Sequence, residues 1–245
     1  MKQSRFIGLL FYVMPFFLIS CAGGGNENKT GTDSTTFDST KSAVAPKINT
    51  IITAPQSMMI AKHKVLDYAK WKTSYDEHDS FRLANGIHSY VIGRGLQDSN
   101  MILVAVKVDD MAKAKTFAKD PGLKKAMQKG GVTGTPLFAF VTITFQDTAT
   151  VSSDLRSRTT FTVKDWGAWQ KAFEEGKQER IDNGITVRAF GHDADDDKKV
   201  VLVTAILDTA KAYAYYKSDM LKKRRAASGV IGEPERFLYR VVQRY

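Results

Sequence analysis

The stretch Val65-Leu-Asp-Tyr-Ala-Lys-Trp71 occurs twice in this chain, returning as Val163-Lys-Asp-Trp-Gly-Ala-Trp169. The two copies are 98 positions apart (163 − 65), and the match continues at this offset without a gap to Pro136 and Pro234. Self-similarity at a fixed offset is the signature of a repeated structural unit. The sequence therefore predicts a tandem repeat.

The first residues of the chain have the pattern of a targeting segment. Two basic residues precede an apolar run, Phe6 to Ile19, which is too short to cross a membrane as a helix. The run ends at Leu18-Ile19-Ser20-Cys21, which resembles a bacterial lipobox, in which the cysteine is lipidated and becomes the new N-terminus. We therefore expect a lipid anchor on Cys21 and a location in the cell envelope, with Ala22 favouring the outer membrane. The alternative is a cytosolic protein with a chance cysteine.

The domain plan follows from composition. Residues after Cys21 are rich in Gly, Asn, Ser and Thr and contain few large apolar side chains, so they are predicted to be a flexible tether. The predicted segments are a signal peptide (1–20), the tether (21–56), a first repeat (57–147) and a second repeat (148–245).

The formal net charge is +10, and much of the excess lies late in the predicted helices. Cations there favour the negative end of the helix dipole. Aromatic side chains are not interleaved with them as they are in nucleic-acid-binding grooves. We therefore expect solvated helical faces and no nucleic-acid partner. Attraction to an anionic lipid or envelope polymer is the alternative.

Each repeat is predicted to have the order β-α-β-β-α-β. Asp67 and Asp110, with Asp165 and Asp208 in the second copy, stand where N-caps are expected. Each first helix ends at an Asn-Gly pair, because Gly enters the left-handed region without a Cβ clash. The predicted strands of the first repeat are 59–65, 87–92, 102–108 and 137–145, and those of the second are 159–163, 185–190, 200–207 and 237–243. A Gly-rich turn is predicted over 131–136 and 229–234.

This order is the ferredoxin-like split βαβ plan. One such unit leaves one face of its sheet bare, so a second copy in the same chain is expected to cover it. The third strand, Ile102 to Val108, is apolar at nearly every residue, which predicts a central position with both faces covered. The predicted fold is α+β, with two tandem ferredoxin-like repeats forming a pseudo-dimer within one chain.

The motifs resemble a known superfamily. They are Val65-x-Asp-Tyr-x-x-Trp71, Asn85-Gly-Ile87, Gly93-Arg94, the late Leu-Lys-Lys and Gly131-Val-x-Gly-x-Pro136. Together they resemble small domains of the dimeric α/β-barrel superfamily, related to antibiotic-biosynthesis-monooxygenase-like and cyclase-like proteins. The resemblance covers nearly all of residues 58–245. It implies the paired fold, and the superfamily includes cofactor-free oxygenases, haem-degrading enzymes, isomerases and many members without a known role.

Four side chains of the first repeat mark a candidate ligand site: His63 on the first strand, and Trp71, Tyr75 and His78 on one side of the first helix. If strand and helix face each other, the four converge. Imidazoles beside Tyr and Trp could bind an aromatic or quinone-like ligand and move its proton. The second repeat has Phe161, Trp169, Phe173 and Gly176 at these positions. The alternative is that both histidines are satisfied core or rim residues.

Motifs for metal ligation, nucleophilic catalysis and phosphate binding are absent from the sequence. The acidic run Asp193 to Asp197 lacks the Gly and the distal Glu of a calcium loop, so a solvated turn is expected. We therefore expect no metal and no cofactor. The main prediction is a lipid-anchored envelope protein with a non-catalytic role in small-molecule binding or interaction. The alternatives are a cofactor-free monooxygenase- or isomerase-like enzyme acting on a hydrophobic aromatic substrate, and a structural module bound to an anionic envelope polymer.

Overall fold

The computed structural model describes residues 49–245. The predicted signal peptide, Cys21 and most of the predicted tether lie outside this range. At the end of the predicted tether, Ile51 and Ile52 form a short strand, β1 (Ile51–Ile52), with Ile51 opposite Asp147. Between residues 49 and 245, every helix is too short or too polar to cross a membrane.

The two repeats contain the same elements in the same order. The first has β2 (Gln56–Val65), α1 (Tyr68–Glu77), α2 (Asp79–Ala84), β3 (Ile87–Gly95), β4 (Met101–Val108), α3 (Met111–Phe117), α4 (Pro121–Lys129) and β5 (Val132–Asp147). The second has β6 (Leu155–Val163), α5 (Trp166–Glu175), α6 (Lys177–Asp182), β7 (Ile185–Asp193), β8 (Lys199–Ile206), α7 (Thr209–Lys217), α8 (Asp219–Ala227) and β9 (Val230–Arg244).

The strands close into one antiparallel barrel. Their order is β5-β2-β4-β3 in the first repeat and β9-β6-β8-β7 in the second, and β4 is central as predicted. Two further pairings join the repeats: β3 with β9, where Val91 lies opposite Arg244, and β5 with β7, where Gln146 lies opposite Ala189. The two seams are related by the offset of 98 residues. The predicted intrachain pairing of two ferredoxin-like repeats is confirmed.

All four predicted N-caps are confirmed. Asp67, Asp110, Asp165 and Asp208 each accept a hydrogen bond from the backbone N–H three residues further on, at 2.7, 2.8, 2.7 and 3.0 Å. Each carboxylate thereby satisfies an amide that the first helical turn leaves free.

The helices differ from the prediction, because each predicted helix is two short helices. The first break lies at His78 (φ −95°, ψ 15°), and its counterpart lies at Gly176 (φ −84°, ψ 9°). Arg82 donates from Nη1 to the carbonyl oxygen of Tyr75 at 2.6 Å, and Arg180 makes the equivalent bond at 2.6 Å. These arginines satisfy a carbonyl beside each break. The sequence pattern missed the breaks because the apolar spacing continues through them.

The Gly-rich turns are also shorter than predicted. Strands β5 and β9 begin at Val132 and Val230, directly after Gly131 (φ 81°) and Gly229 (φ 75°). Gly134 (φ 69°) then lies within β5, where the register against β2 shifts. A glycine in this conformation forms a β-bulge, which bends a strand without ending it. The prediction that the turn extends to Pro136 was therefore wrong.

The two faces of the sheet bury different residues. On β2, Met59, Ala61 and Val65 face the helices and pack with Trp71 and other apolar side chains of the first repeat. The alternate residues of the strand face the barrel interior. There, apolar side chains of both repeats meet: Met58, Ile60, Leu103, Val141, Ile143, Val201 and Tyr239. A ligand site could therefore lie between sheet and helices or inside the barrel.

Candidate functional site

The structure brings the four predicted site residues together between the sheet and the helices of the first repeat. The ring centroids of His63 and Trp71 are 5.5 Å apart, and those of Trp71 and Tyr75 are 5.2 Å apart. His78 lies at the break between α1 and α2 and lines the same space. The predicted convergence of strand and helix is therefore present.

The space that these residues enclose is small. Its volume is about 70 Å³, and the corresponding space of the second repeat, beside Trp169, is about 90 Å³. Pockets for small organic ligands are usually about 300–1,000 Å³. The space beside Trp71 is therefore no larger than the one beside Trp169, although its walls carry more polar groups. The ligand role of His63, Trp71, Tyr75 and His78 stays a prediction.

The two histidines of this cluster have different surroundings. His78 donates from Nδ1 to the carbonyl oxygen of Ser74, with 2.7 Å between the two atoms. His63 is 4% exposed, and both of its ring nitrogens are buried without a hydrogen-bond partner among residues 49–245. Burial lowers the pKa of His63 to about 4, so its imidazole is neutral at pH 7.

Tyr75 is held by two contacts in the same cluster. Its hydroxyl lies 2.7 Å from Oγ of Ser89, and the guanidinium of Arg82 lies 3.6 Å from the centre of its ring. Burial is the largest influence on the Tyr75 hydroxyl and raises its pKa. Tyr75 is therefore a protonated, fixed hydroxyl at neutral pH.

A larger cavity lies inside the barrel. Its volume is about 600 Å³, within the usual range for small-molecule sites. Apolar side chains from both repeats line it, and so does the connecting segment 147–154. Thr148, Thr150 and Ser152 of that segment are exposed, so the cavity reaches the surface where the two repeats are joined.

Polar groups are placed at a few points on the barrel wall. Four arginines line the cavity: Arg156 and Arg158 on β6, Arg188 on β7 and Arg244 on β9. Tyr90 accepts a hydrogen bond from Nε2 of Gln146. Burial raises the pKa of Tyr239 to about 12, so this hydroxyl is protonated at neutral pH.

The sequence did not predict this cavity, because side chains of the other repeat were expected to cover the inner face of each sheet completely. The sequence of β6 nevertheless contained an indication of a polar site inside the barrel. Arg156 and Arg158 occupy alternate positions of that strand, which places both on the inner face, where apolar residues are expected.

Comparison with known proteins supports the fold. The sequence matches no protein-family model and no curated protein. Among solved structures, it is similar to a protein of Fusobacterium nucleatum subsp. nucleatum described as a monooxygenase, with 12% identity, a TM-score of 0.52, and 77% of this chain and 93% of that chain covered. It is similar to an anthrone oxidase-like protein, with 16% identity, a TM-score of 0.53, and coverage of 79% and 94%. A third structure is described as a chlorite dismutase, with 13% identity, a TM-score of 0.52, and coverage of 77% and 95%.

The chain has a dimeric α/β-barrel fold, in which two ferredoxin-like repeats pair within one chain. The similarity covers nearly the full length of all three proteins. The prediction of a non-catalytic binding or interaction role was wrong, because proteins of this architecture are described as a monooxygenase, an oxidase-like protein and a chlorite dismutase. The enzyme alternative fits better. The lipid anchor, the envelope location and the membrane partner stay predictions.

Proposed function

We propose that this protein is an oxygenase-type enzyme that oxidises a hydrophobic aromatic substrate inside the barrel. The observation that carries the proposal is the cavity of about 600 Å³ between the two repeats. Its volume suits an aromatic molecule of two or three rings, whereas the spaces of about 70 and 90 Å³ beside Trp71 and Trp169 do not. The oxidase and monooxygenase descriptions of proteins with this fold support the reaction class.

The proposed chemistry uses the electrons of the substrate itself. An aromatic compound with an acidic CH₂ or hydroxyl group becomes electron-rich when it loses a proton, and its anion can then reduce molecular oxygen. In the balanced reaction, a CH₂ group and O₂ become a C=O group and one water. The protein binds the substrate, excludes bulk water and stabilises the negative charge that develops on it.

The cavity contains groups suited to this task. Leu103 and Val201 are buried on opposite repeats and provide apolar contact. Arg156 and Arg158 place positive charge on the wall, where low polarity strengthens its attraction to an anion. Tyr239 keeps its proton at neutral pH and can donate a hydrogen bond to a substrate oxygen.

Oxygen uptake tests the proposal. The full-length protein is incubated with tricyclic CH₂ compounds and polycyclic phenols, and O₂ consumption and product formation are measured with and without air. We expect uptake of one O₂ for each CH₂ group converted to C=O, and of one O₂ for each phenol converted to a quinone. Absence of enzyme-dependent uptake and of binding across this series would refute the proposal.

Two variants locate the reaction. Ala105 lines the barrel cavity, so Ala105→Phe should fill part of it and abolish turnover. His63→Phe copies the second repeat and changes only the space beside Trp71, so turnover should persist. The opposite result, loss with His63→Phe and retention with Ala105→Phe, would move the site to the predicted cluster of His63, Trp71, Tyr75 and His78.

A further inference from the structure

We infer that the molecule bound in the barrel is an aromatic anion, of which a carboxylate-bearing aromatic is the chemical class that fits best. Its charged group lies against arginines that only the second repeat supplies. The inference rests on the proposed function, since it names the class of substrate that the same cavity takes. Equivalent positions of the two repeats differ in charge around this cavity.

The positive charge of the cavity wall lies on one side only. Four pairs of equivalent positions, 98 residues apart, line the cavity and differ in charge: Met58 and Arg156, Ile60 and Arg158, Tyr90 and Arg188, and Gln146 and Arg244. At each pair the first repeat has an uncharged side chain and the second has arginine. The other apolar positions, such as Leu103 and Val201, are similar in the two repeats. The pseudo-symmetric barrel therefore encloses a polarised cavity.

One of these arginines has a structural role. Arg188 donates from Nη1 to Oδ2 of Asp147 at 3.0 Å and from Nη2 to the carbonyl oxygen of Ala149 at 2.5 Å. It therefore holds the segment that connects the repeats. The other carboxylate of the cavity wall, Asp154, is paired with Arg240 at 2.6 Å. Neither carboxylate forms an ion pair with Arg156, Arg158 or Arg244.

The other three arginines have no ion pair within residues 49–245, since no carboxylate oxygen lies within 4.0 Å of their side-chain nitrogens. Arg156 donates from Nη1 to the backbone carbonyls of Ser153 and Leu155, at 2.7 and 3.0 Å. Nε of Arg158 is buried and has no hydrogen-bond partner in the described part of the chain. Arg244 is exposed at the end of β9.

Unpaired buried cations are unfavourable, and Arg156 is also repelled by the charges of two other arginines. Burial is the largest influence on Arg156 and lowers its pKa; the nearby charges of Arg244 and Arg188 also lower it, whereas Tyr239 and Asp154 raise it. Burial also lowers the pKa of Arg158. Guanidinium groups nevertheless stay charged at neutral pH. A bound anion would remove this repulsion and supply acceptors for the unused N–H groups.

The geometry favours an oxyanion attached to an apolar body. A guanidinium presents its donors in a planar fork that matches a carboxylate. Arg244 is exposed whereas Arg156 is buried, so positive charge extends from the surface into the cavity and would attract an anion inward. The apolar wall of the first repeat, with Met58 and Ile60, then faces the uncharged part of the molecule.

Two fluorescent probes with the same rings test the inference. 8-Anilinonaphthalene-1-sulfonate carries an anionic group, and N-phenyl-1-naphthylamine lacks it. The test variants carry the first repeat's residues: Arg156→Met with Arg158→Ile, and separately Arg244→Gln. Since hydrogen bonds to charged groups are stronger than those between neutral groups, we expect the double variant to weaken sulfonate binding at least about tenfold. Binding of the neutral probe should stay the same or become tighter.

Controls separate local charge from net charge and from folding. Lys223→Met removes an exposed cation from α8 and should leave binding of both probes unchanged. The double variant changes residues of the cavity wall and could unfold at a lower temperature than the original protein. In that case Arg244→Gln provides the same test at an exposed position. Equal weakening of both probes, or unchanged sulfonate binding in folded variants, would overturn the inference.

The outcome is separable from that of the proposed function. If no aromatic compound is oxidised but the arginine variants still discriminate between the two probes, the anion site stands and the oxygenase proposal falls. If tricyclic compounds are oxidised equally well with and without a carboxylate, and the variants do not change this, the oxygenase proposal stands and the anion inference falls.

Discussion

His63 allows the sharpest test of the packing between the sheet and the helices. Its imidazole is buried with both nitrogens unpartnered, and it lies 5.5 Å from the ring centroid of Trp71. In the second repeat, Phe161 has the same relation to Trp169, also at 5.5 Å. Phenylalanine therefore fits an equivalent site, and His63→Phe should stabilise the protein. Removing a buried polar group that has no partner relieves about 1–3 kcal/mol at pH 7.

The pH dependence of the free energy of unfolding gives a second expected value. The pKa of His63 is about 4 in the folded protein, against 6.5 for the ordinary group. Between these values the unfolded chain binds more protons than the folded one, so stability is complete above pH 6.5 and falls as the pH drops towards 4. A difference of about 2.5 in pKa corresponds to about 3 kcal/mol.

The assay is urea unfolding followed by tryptophan fluorescence at pH 7, 6, 5 and 4. Other acid-sensitive groups affect both proteins, so the quantity of interest is the free energy of unfolding of His63→Phe minus that of the original protein. This difference should grow by about 3 kcal/mol from pH 7 to pH 4. His88→Thr is the matched control, because His88 is exposed beside Asp109 and the second repeat has Thr186 there. A difference that does not change with pH would refute the reasoning.

Four other predictions follow from the fold and the sequence. A fragment of residues 57–147 should dimerise or aggregate, because it exposes the apolar inner face of its sheet; a monodisperse monomer in light scattering would contradict the barrel. Asp165→Ala should lower the free energy of unfolding by about 1 kcal/mol, since it removes an N-cap, with Glu174→Ala on the exposed face of the same helix as the control. Gly191→Ala should destabilise the seam between β5 and β7 by about 1–3 kcal/mol, because a Cβ there would collide with the carbonyl of Thr142; unchanged stability would show that the seam can shift. Cys21→Ser should abolish partition into detergent in a phase-separation assay, and continued partition would disprove the lipid anchor.

The fold could be predicted from sequence because its signals are local and occur twice. Each local signal indicates one structure: the aspartates indicate helix N-termini, the Asn-Gly pairs indicate helix ends, and the apolar third strand indicates a central strand. The second repeat contains the same signals. The breaks at His78 and Gly176 were missed because the side chains that stabilise them, Arg82 and Arg180, bond to carbonyls seven residues earlier. A side-chain hydrogen bond of this kind does not change the periodic spacing of apolar residues by which helices are predicted.

The candidate site was harder to predict, since it depends on what the inner face of the barrel leaves empty. The first strand of each repeat shows alternation, but alternation alone does not separate a filled interior from a cavity. The difference between Met58 and Arg156 has meaning only once both are known to face the same space. His63, by contrast, was found from its strand position, and its lack of a partner is a property of the folded environment.

The connection between the repeats has a genetic consequence. In a barrel assembled from two identical chains, one codon sets two positions, so an arginine on one wall would always be matched by an arginine on the other. Here each wall has its own codons, and Arg158 can face the cavity without a second arginine at position 60. Fusion of the two halves thus lets selection act on each wall separately, which a symmetric dimer does not allow.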